Sequence, residues 1–316
     1  MAGDVALAAT AKVTCHSGSA ESIGLRQVQM FDFVASHSEP AGRAARLYKW
    51  LLESSSTEVT RRELESSAVV FSPHPDDETL GCGGTIIRKK KSGASVRLVH
   101  MTDGGAGGHP SLITSRQLKA IRLTEARMAS HGLGLTERDT YFLEFEDGNL
   151  IQQISPAVDR VSELLENEWP EQIFVPYRRE PVSQALDHIV TTKVVLRAIT
   201  RFRRRVTIWE YPIWFWLHWP WISWRQGKPA IIPRLSLFKN TVLSLFGVRA
   251  LVDLRCSVYV GNVIKEKYSA LCQHKSQMER LVDDARWHTL ADIYKGQFLG
   301  CFCWDREFFR CYELNG

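Results

Sequence analysis

The sequence predicts an α/β protein: a doubly wound, mostly parallel sheet with helices on both faces. Three observations predict it. Between Ala68 and Glu210, short apolar runs rich in β-branched residues alternate with longer runs of helical period, the signature of successive βαβ units. Several of the apolar runs end in acidic or Gly-rich clusters, as strands do at the carboxyl edge of such a sheet. The chain has 316 residues, 44% of them hydrophobic, enough for one large core with embellishments.

Taken in order, Val69-Val70-Phe71 reads as the first buried strand, and Thr85 to Lys91 as the helix after it. Ser95 to Met101 is the second strand. Thr114 to Gly132 is a long helix with Leu118, Ile121, Leu123 with Ala126, and Met128 with Ala129 on its core stripe, and Gly132 stops it. Thr140 to Leu143 is the third strand. Ser155 to Trp169 is a helix with Val158, Val161, Leu164 and Leu165 inward, cut off by Pro170. Gln172 to Val175 is the fourth strand, a helix runs from Asp187 to about Phe202, and Val206 to Glu210 is the fifth strand. Beyond it, Arg234 to Phe246 is apolar and helix-like, Ala250 to Val260 alternates as a strand does, and Lys265 to Gln277 is helical.

The chemistry concentrates in Ala68 to Ile87, AVVFSPHPDDETLGCGGTII, where four ionisable side chains (His74, Asp76, Asp77, Glu78) fall within five residues after a strand. Imidazole with carboxylate suits zinc, and a second, adjacent carboxylate can serve as a general base. Spacing alone leaves open which aspartate takes which role. Capping of the following helix is the plain alternative, but one Asp suffices for that. The glycines of Thr102 to His109 could cradle a phosphate, yet they lack a Walker lysine and read better as the rim of the same pocket. His109 adds an imidazole there. Asp147, before Gly148, ends the third strand; Arg178 and Arg179 follow the fourth; Asp187 can cap the next helix while His188 faces the carboxyl edge as a third metal ligand.

SPHPDDETLGCGGTI followed by RLVHMTDGGAGG resembles the first two signatures of the LmbE/PIG-L family of zinc-dependent N-deacetylases. IRLTEARMASHGLG, YFLEFEDGNL, IFVPYRRE…DHI and ALCQHKSQ agree in order, so the resemblance spans Ser67 to Gln277. It implies a Rossmann-like fold and removal of acetyl from an N-acetylglucosaminyl-type substrate: a sugar, a glycolipid or a glycosylated metabolite. It further implies zinc held by His74, Asp77 and His188, with Asp76 as general base and Glu78 in support behind them. Divalent iron or cobalt suits the same donors. Arg122, with Glu125, matches an R-x-x-E of the family, and Asp147 its substrate-side aspartate; a surface pair and a turn residue are the plain alternatives. One departure stands out. Where many relatives have a histidine three residues before the ligand histidine, this chain has Ala185, so oxyanion stabilisation falls to the metal, helped by Arg178, Arg179 or His109. Two further readings follow: a catalytically impaired member that binds glycan or acts as a scaffold, and an amidase on another sugar-linked amide. A nucleotide-binding protein is disfavoured, since no G-x-G-x-x-G follows the first strand.

On this reading residues 67–277 are the catalytic domain, with a Trp-rich insertion at 209–233. Residues 1–66 are an N-terminal extension, partly mobile with a helix near 40–52, and 278–316 an aromatic-rich extension packed on the domain. Six of the ten tryptophans lie between Trp209 and Trp224, where glycan stacking, peripheral membrane contact and a packed subdomain or homo-oligomer contact compete. The net charge of +5 is too mild to point to nucleic acid. Seven cysteines without repeated spacing argue for reduced thiols and a cytoplasmic setting, and no run approaches the ~20 apolar residues of a membrane span. No secretory signal is evident.

Overall fold

The computed structural model describes residue 40 and residues 42–107, 111–181, 185–201, 204–223 and 233–315. Eight strands form one sheet: β1 (Thr57–Glu58), β2 (Ala68–Ser72), β3 (Val96–Thr102), β4 (Thr140–Phe145), β5 (Gln172–Pro176), β6 (Arg205–Tyr211), β7 (Cys256–Tyr259) and β8 (Arg306–Asn315). Their order is β1-β7-β8-β6-β5-β2-β3-β4. From β4 to β6 every pairing is parallel. The chain runs outward from β2 through β3 to β4, then returns to place β5 on the other side of β2. That reversal opens a crevice beyond the carboxyl ends of β2 and β5, where open α/β sheets build their sites.

Alternation along β2 assigns Ala68 and Val70 to one core and Val69 and Phe71 to the other. On the second face lie α5 (Ile154–Glu168) and α6 (Leu186–Ile199), which contribute Val161, Leu165, Val190 and Val194. On the first lie α3 (Asp77–Lys91) and α9 (Ile264–Leu271), against which α4 (Ser115–Gly132) packs. A Cβ on Gly132 would sit 3.1 Å from the Ala270 Cβ, so the α4–α9 approach depends on that glycine.

Helix α3 is broken at Cys82 (φ −145°, ψ 18°), which leaves amides just beyond the break without helical acceptors. Glu307, on β8, takes them: its carboxylate accepts from Gly84 N and Thr85 N, both at 2.8 Å, and from the Thr85 hydroxyl at 2.6 Å. Lys267 Nζ lies 2.8 Å from the same carboxylate. The C-terminal residues therefore do more than pack on the outside. Strand β8 runs antiparallel between β6 and β7, and β1, from the N-terminal stretch, extends the same sheet beyond β7.

Two sequence expectations change: Lys265–Gln277 is not one helix but two, Ile264–Leu271 and Lys275–Met278, broken at residues 272–274, and the stretch before it differs as well. Ala250–Val260 is not one strand: α8 (Val248–Asp253) occupies its first part and β7 only Cys256–Tyr259. Ala250 and Leu254, both buried, stand four apart, so the short run satisfies the helical period as well as alternation. Of the tryptophans in β6 and after it, Trp209, Trp216 and Trp221 are core, as the packed-subdomain reading expects, while Trp214 and Trp219 are half-buried. Trp209, Trp216 and Trp221 are 2–3% exposed, and Trp216 and Trp221 pack on Trp304 with ring centroids 5.3 and 5.1 Å away. Trp224 and His109 lie outside the described residues, as do residues 1–39.

Candidate active site

The turn after β2 is held from beneath. Glu78, wholly buried in the first turn of α3, accepts from Ser72 Oγ at 2.9 Å, Asp76 N at 3.2 Å and Thr79 Oγ1 at 2.7 Å. His274 Nε2 stands 3.4 Å from it. Burial alone would raise this carboxyl, but His100 and His274 hold it down at about 2, so it is a fixed anion under the turn. With Glu78 bound to its amide, Asp76 takes φ 141°, a conformation rare outside glycine. The strained turn separates the two aspartates and directs them differently.

Asp77 faces the crevice. Its Oδ2 accepts from His74 N at 3.1 Å and lies 3.1 Å from His74 Nδ1 and 3.2 Å from His188 Nε2. Burial favours its neutral form, yet His188 and His74 overcome this and hold it well below the ordinary carboxylate range. On its other side, His74 Nε2 stands 3.1 Å from Asp147 Oδ1 and 3.6 Å from Asp187 Oδ2. Donor atoms of His74, Asp77 and His188 lie within 4.8 Å of one another, as do those of His74, Asp147 and Asp187.

His188 tests whether a metal fits. Its ring is wholly buried, and neither nitrogen has a geometrically sound hydrogen bond among the described residues. A native fold rarely leaves such a group unpaired without a function. Two imidazoles and a carboxylate converging on one point are a donor set suited to zinc, and a ligand role would use the His188 Nε2 that faces Asp77. Asp76, 6% exposed, is raised to about 7, first by burial and then by the charge of Asp77, against the pull of Arg122, His274 and His74.

Arg122, 4% exposed, lies across the loop after β3. A Cβ on Gly104 would meet its Cδ at 2.7 Å, and one on Gly107 its Nη2 at 2.4 Å. The glycines there make room for a guanidinium. Glu125, one turn on, accepts from Ser276 N at 2.8 Å and Ser276 Oγ at 2.6 Å, tying α4 to α10 (Lys275–Met278). The two residues are thus buried with separate tasks, not a surface pair.

Arg178 and Arg179 are not brought to the cluster. Arg178 Nε donates to Glu210 at 2.5 Å and the guanidinium also reaches the Tyr312 hydroxyl; Arg179 pairs with Asp253 at 2.6 Å. Asp187 is not a cap: α6 begins after Ala185 with no side-chain cap, and Asp187 Oδ2 accepts from Gly148 N at 2.7 Å beside His74. Ala185 is itself buried and offers no side-chain donor. Sequence reasoning missed His100, which is wholly buried with both ring nitrogens unpaired, 3.8 Å from Glu78 and stacked on Phe142. Its strand position, VRLVHMT, gave no signal beyond a polar residue among apolar ones.

Comparison with known proteins finds relatives over the same part of the chain. Residues 69–199 match the family model described as PIG-L, GlcNAc-PI de-N-acetylase. The chain is 24% identical over 225 residues to a Bacillus cereus protein named "Probable N-acetyl-alpha-D-glucosaminyl L-malate deacetylase 2", covering 70% of this chain and 88% of that one. It is 35% identical over 78 residues to diacetylchitobiose deacetylase of Thermococcus kodakarensis, 25% of this chain and 28% of that one. In fold it is similar to N,N'-diacetylchitobiose deacetylase from Pyrococcus horikoshii (TM-score 0.54, 19% identity, 84% of this chain and 90% of that one).

Proposed function

We propose, from the match of residues 69–199 to the PIG-L family model, that the protein is a metal-dependent N-deacetylase acting on an N-acetylglucosaminyl-type compound. The observation that carries the reading is the convergence of His74, Asp77 and His188, with His188 buried and otherwise unpartnered. Those three residues would hold the metal, for which zinc is the ion best suited; when bound it supplies Lewis acidity toward the amide carbonyl and lowers the pKa of water toward ~7.

The chain's own residues supply the rest. Asp76, held out by the strained turn, receives the proton of the attacking water as its oxygen bonds to the acyl carbon. The C–N bond then breaks, Asp76 returns the proton to the departing nitrogen, and acetate and a free amine leave. Glu78 fixes the turn, and the Asp147 and Asp187 carboxylates orient His74. Arg122 presents a cation to Asp76 from the rim. A second reading, a binding or scaffold protein with impaired catalysis, draws on one feature: Ala185, Arg178 and Arg179 offer no side-chain donor toward the cluster.

Metal analysis of wild type and His188→Ala, run beside amine release from a panel of N-acetylglucosaminyl compounds, tests both. About one metal per chain, diminished in the variant and accompanied by amine release, supports the deacetylase. Metal with no release across the panel favours the binding reading, and a folded, metal-loadable protein that takes up none sinks the site.

A further inference from the structure

Away from the crevice, the exposed apolar side chains are not scattered. Of the fifteen large hydrophobic residues exposed among the described ones, ten fall in two short segments, 47–50 and 235–252. The first is the outer face of α1 (Arg43–Ser55), where Leu47 is 53% and Trp50 60% exposed. The second runs along α7 (Arg234–Leu243) and over the turn into α8. The segments adjoin: α1 packs on α8, Tyr48 meets the Trp219 ring at 5.8 Å, and a Cβ on Gly247 would come 3.0 Å from the Tyr48 ring.

The tip of this surface is built at a conformational cost. Leu245 and Phe246 both take left-handed backbone (φ 53° each), a region that bulky residues avoid, and each is 54% exposed. Folding gains nothing from turning a leucine and a phenylalanine outward in a strained turn. Soluble monomers rarely gather so much apolar surface without an interaction that uses it.

The charge around it identifies the partner. Residues 233–255 carry Arg234, Lys239, Arg249 and Arg255 against one acid, Asp253, whose carboxylate is engaged by Tyr177 and Arg179. Arg43 and Arg46 add two cations on the exposed side of α1. Beside the tip a cavity of about 270 Å³ is lined by Arg179, Lys239 and Arg249, and the Nε of Arg249 is buried without a partner among the described residues. A two-fold contact with a second copy would set this cationic face against itself. An anionic bilayer complements both features: apolar side chains enter the headgroup–acyl boundary while the basic rim meets lipid phosphates.

We propose that the α1–α7–α8 face, with Leu245 and Phe246 at its tip, docks the protein peripherally on anionic phospholipid membranes. Membrane contact falls to this surface rather than to the neighbouring Trp-rich segment, where Trp209, Trp216 and Trp221 are buried. The proposal is independent of the reaction at the crevice.

Co-sedimentation of the full chain with phosphatidylcholine vesicles, with and without roughly 30 mol % phosphatidylserine, tests it. Wild type is expected to pellet with the anionic vesicles, less so as salt is raised. Leu245→Asn/Phe246→Asn is expected to lower the bound fraction on the order of tenfold or more. Asparagine tolerates left-handed backbone, so that variant should melt no lower than wild type. Lys239→Glu/Arg255→Glu should lose binding to the anionic vesicles while leaving the apolar tip intact. Three outcomes overturn the proposal: wild type that ignores anionic vesicles, an asparagine variant that binds them undiminished, or a wild-type dimer in light scattering that the asparagine pair converts to monomer.

Discussion

Glu78 and His274 face each other at 3.4 Å, neither side chain more than 1% exposed, joining the first turn of α3 to the segment just before α10. The contact makes a distant part of the chain a support of the HPDDE turn. His274→Ala removes one partner of a buried carboxylate, and the expected cost is about 1–3 kcal/mol of stability. Urea unfolding measures it. Metal content should fall less than turnover, because Glu78 positions the turn without being a ligand.

Asp76 and Asp77 should separate cleanly. Asp76→Asn is expected to retain metal and lose about 10²–10⁴ in kcat, the usual worth of a positioned acid–base group. Asp77→Asn should lose metal first and activity with it. Metal analysis on both variants decides; an Asp76→Asn protein stripped of metal would reverse the assigned roles.

His218 predicts a pH effect far from the crevice. Burial lowers its imidazole to about 4, while its Nδ1 stays 2.5 Å from the Phe215 carbonyl. The unfolded chain, with its histidine near 6.5, therefore binds the extra proton first. Stability from this group is present above pH ~6.5 and is lost as pH falls toward 4, by up to about 3 kcal/mol. His218→Asn, which keeps a donor for Phe215, should flatten that part of the Tm-against-pH curve.

Glu307→Ala should be among the costlier single changes. It strands Lys267 in the core and strips the acceptor from Gly84 N and Thr85 N, an expected loss of about 3–5 kcal/mol. Guanidinium unfolding reads the loss directly. Lys267→Met/Glu307→Gln should recover part of it, since an amide still accepts and no charge is left alone.

The parallel half of the sheet was legible because each strand from β2 to β6 is a short apolar run bounded by helix, and the site because HPDDE stands at the end of the first of them. What lay hidden has one physical root: partners far apart in the chain. The aromatic residues of EFFRCY suit a strand but nothing local places it between β6 and β7, and nothing near Glu307 announces amides at Gly84 and Thr85. Arg178 and Arg179 looked like free cations beside a site, but Glu210 and Asp253, their partners, come from other elements. Asp187 read as a cap because Asp at a helix start commonly is one; its true contacts, Gly148 and His74, come from other turns.

The position of β8 bears on how the chain comes to be folded. β1 and β7 reach the parallel strands only through β8, and the broken helix behind the HPDDE turn finds its acceptor there. Pairings of such wide sequence separation form late and slowly. A chain emerging from the ribosome can assemble β2 through β6, but α3 keeps unpaired amides and the sheet an open edge until residues 306–315 arrive. The HPDDE turn should therefore become rigid only after synthesis passes Glu307.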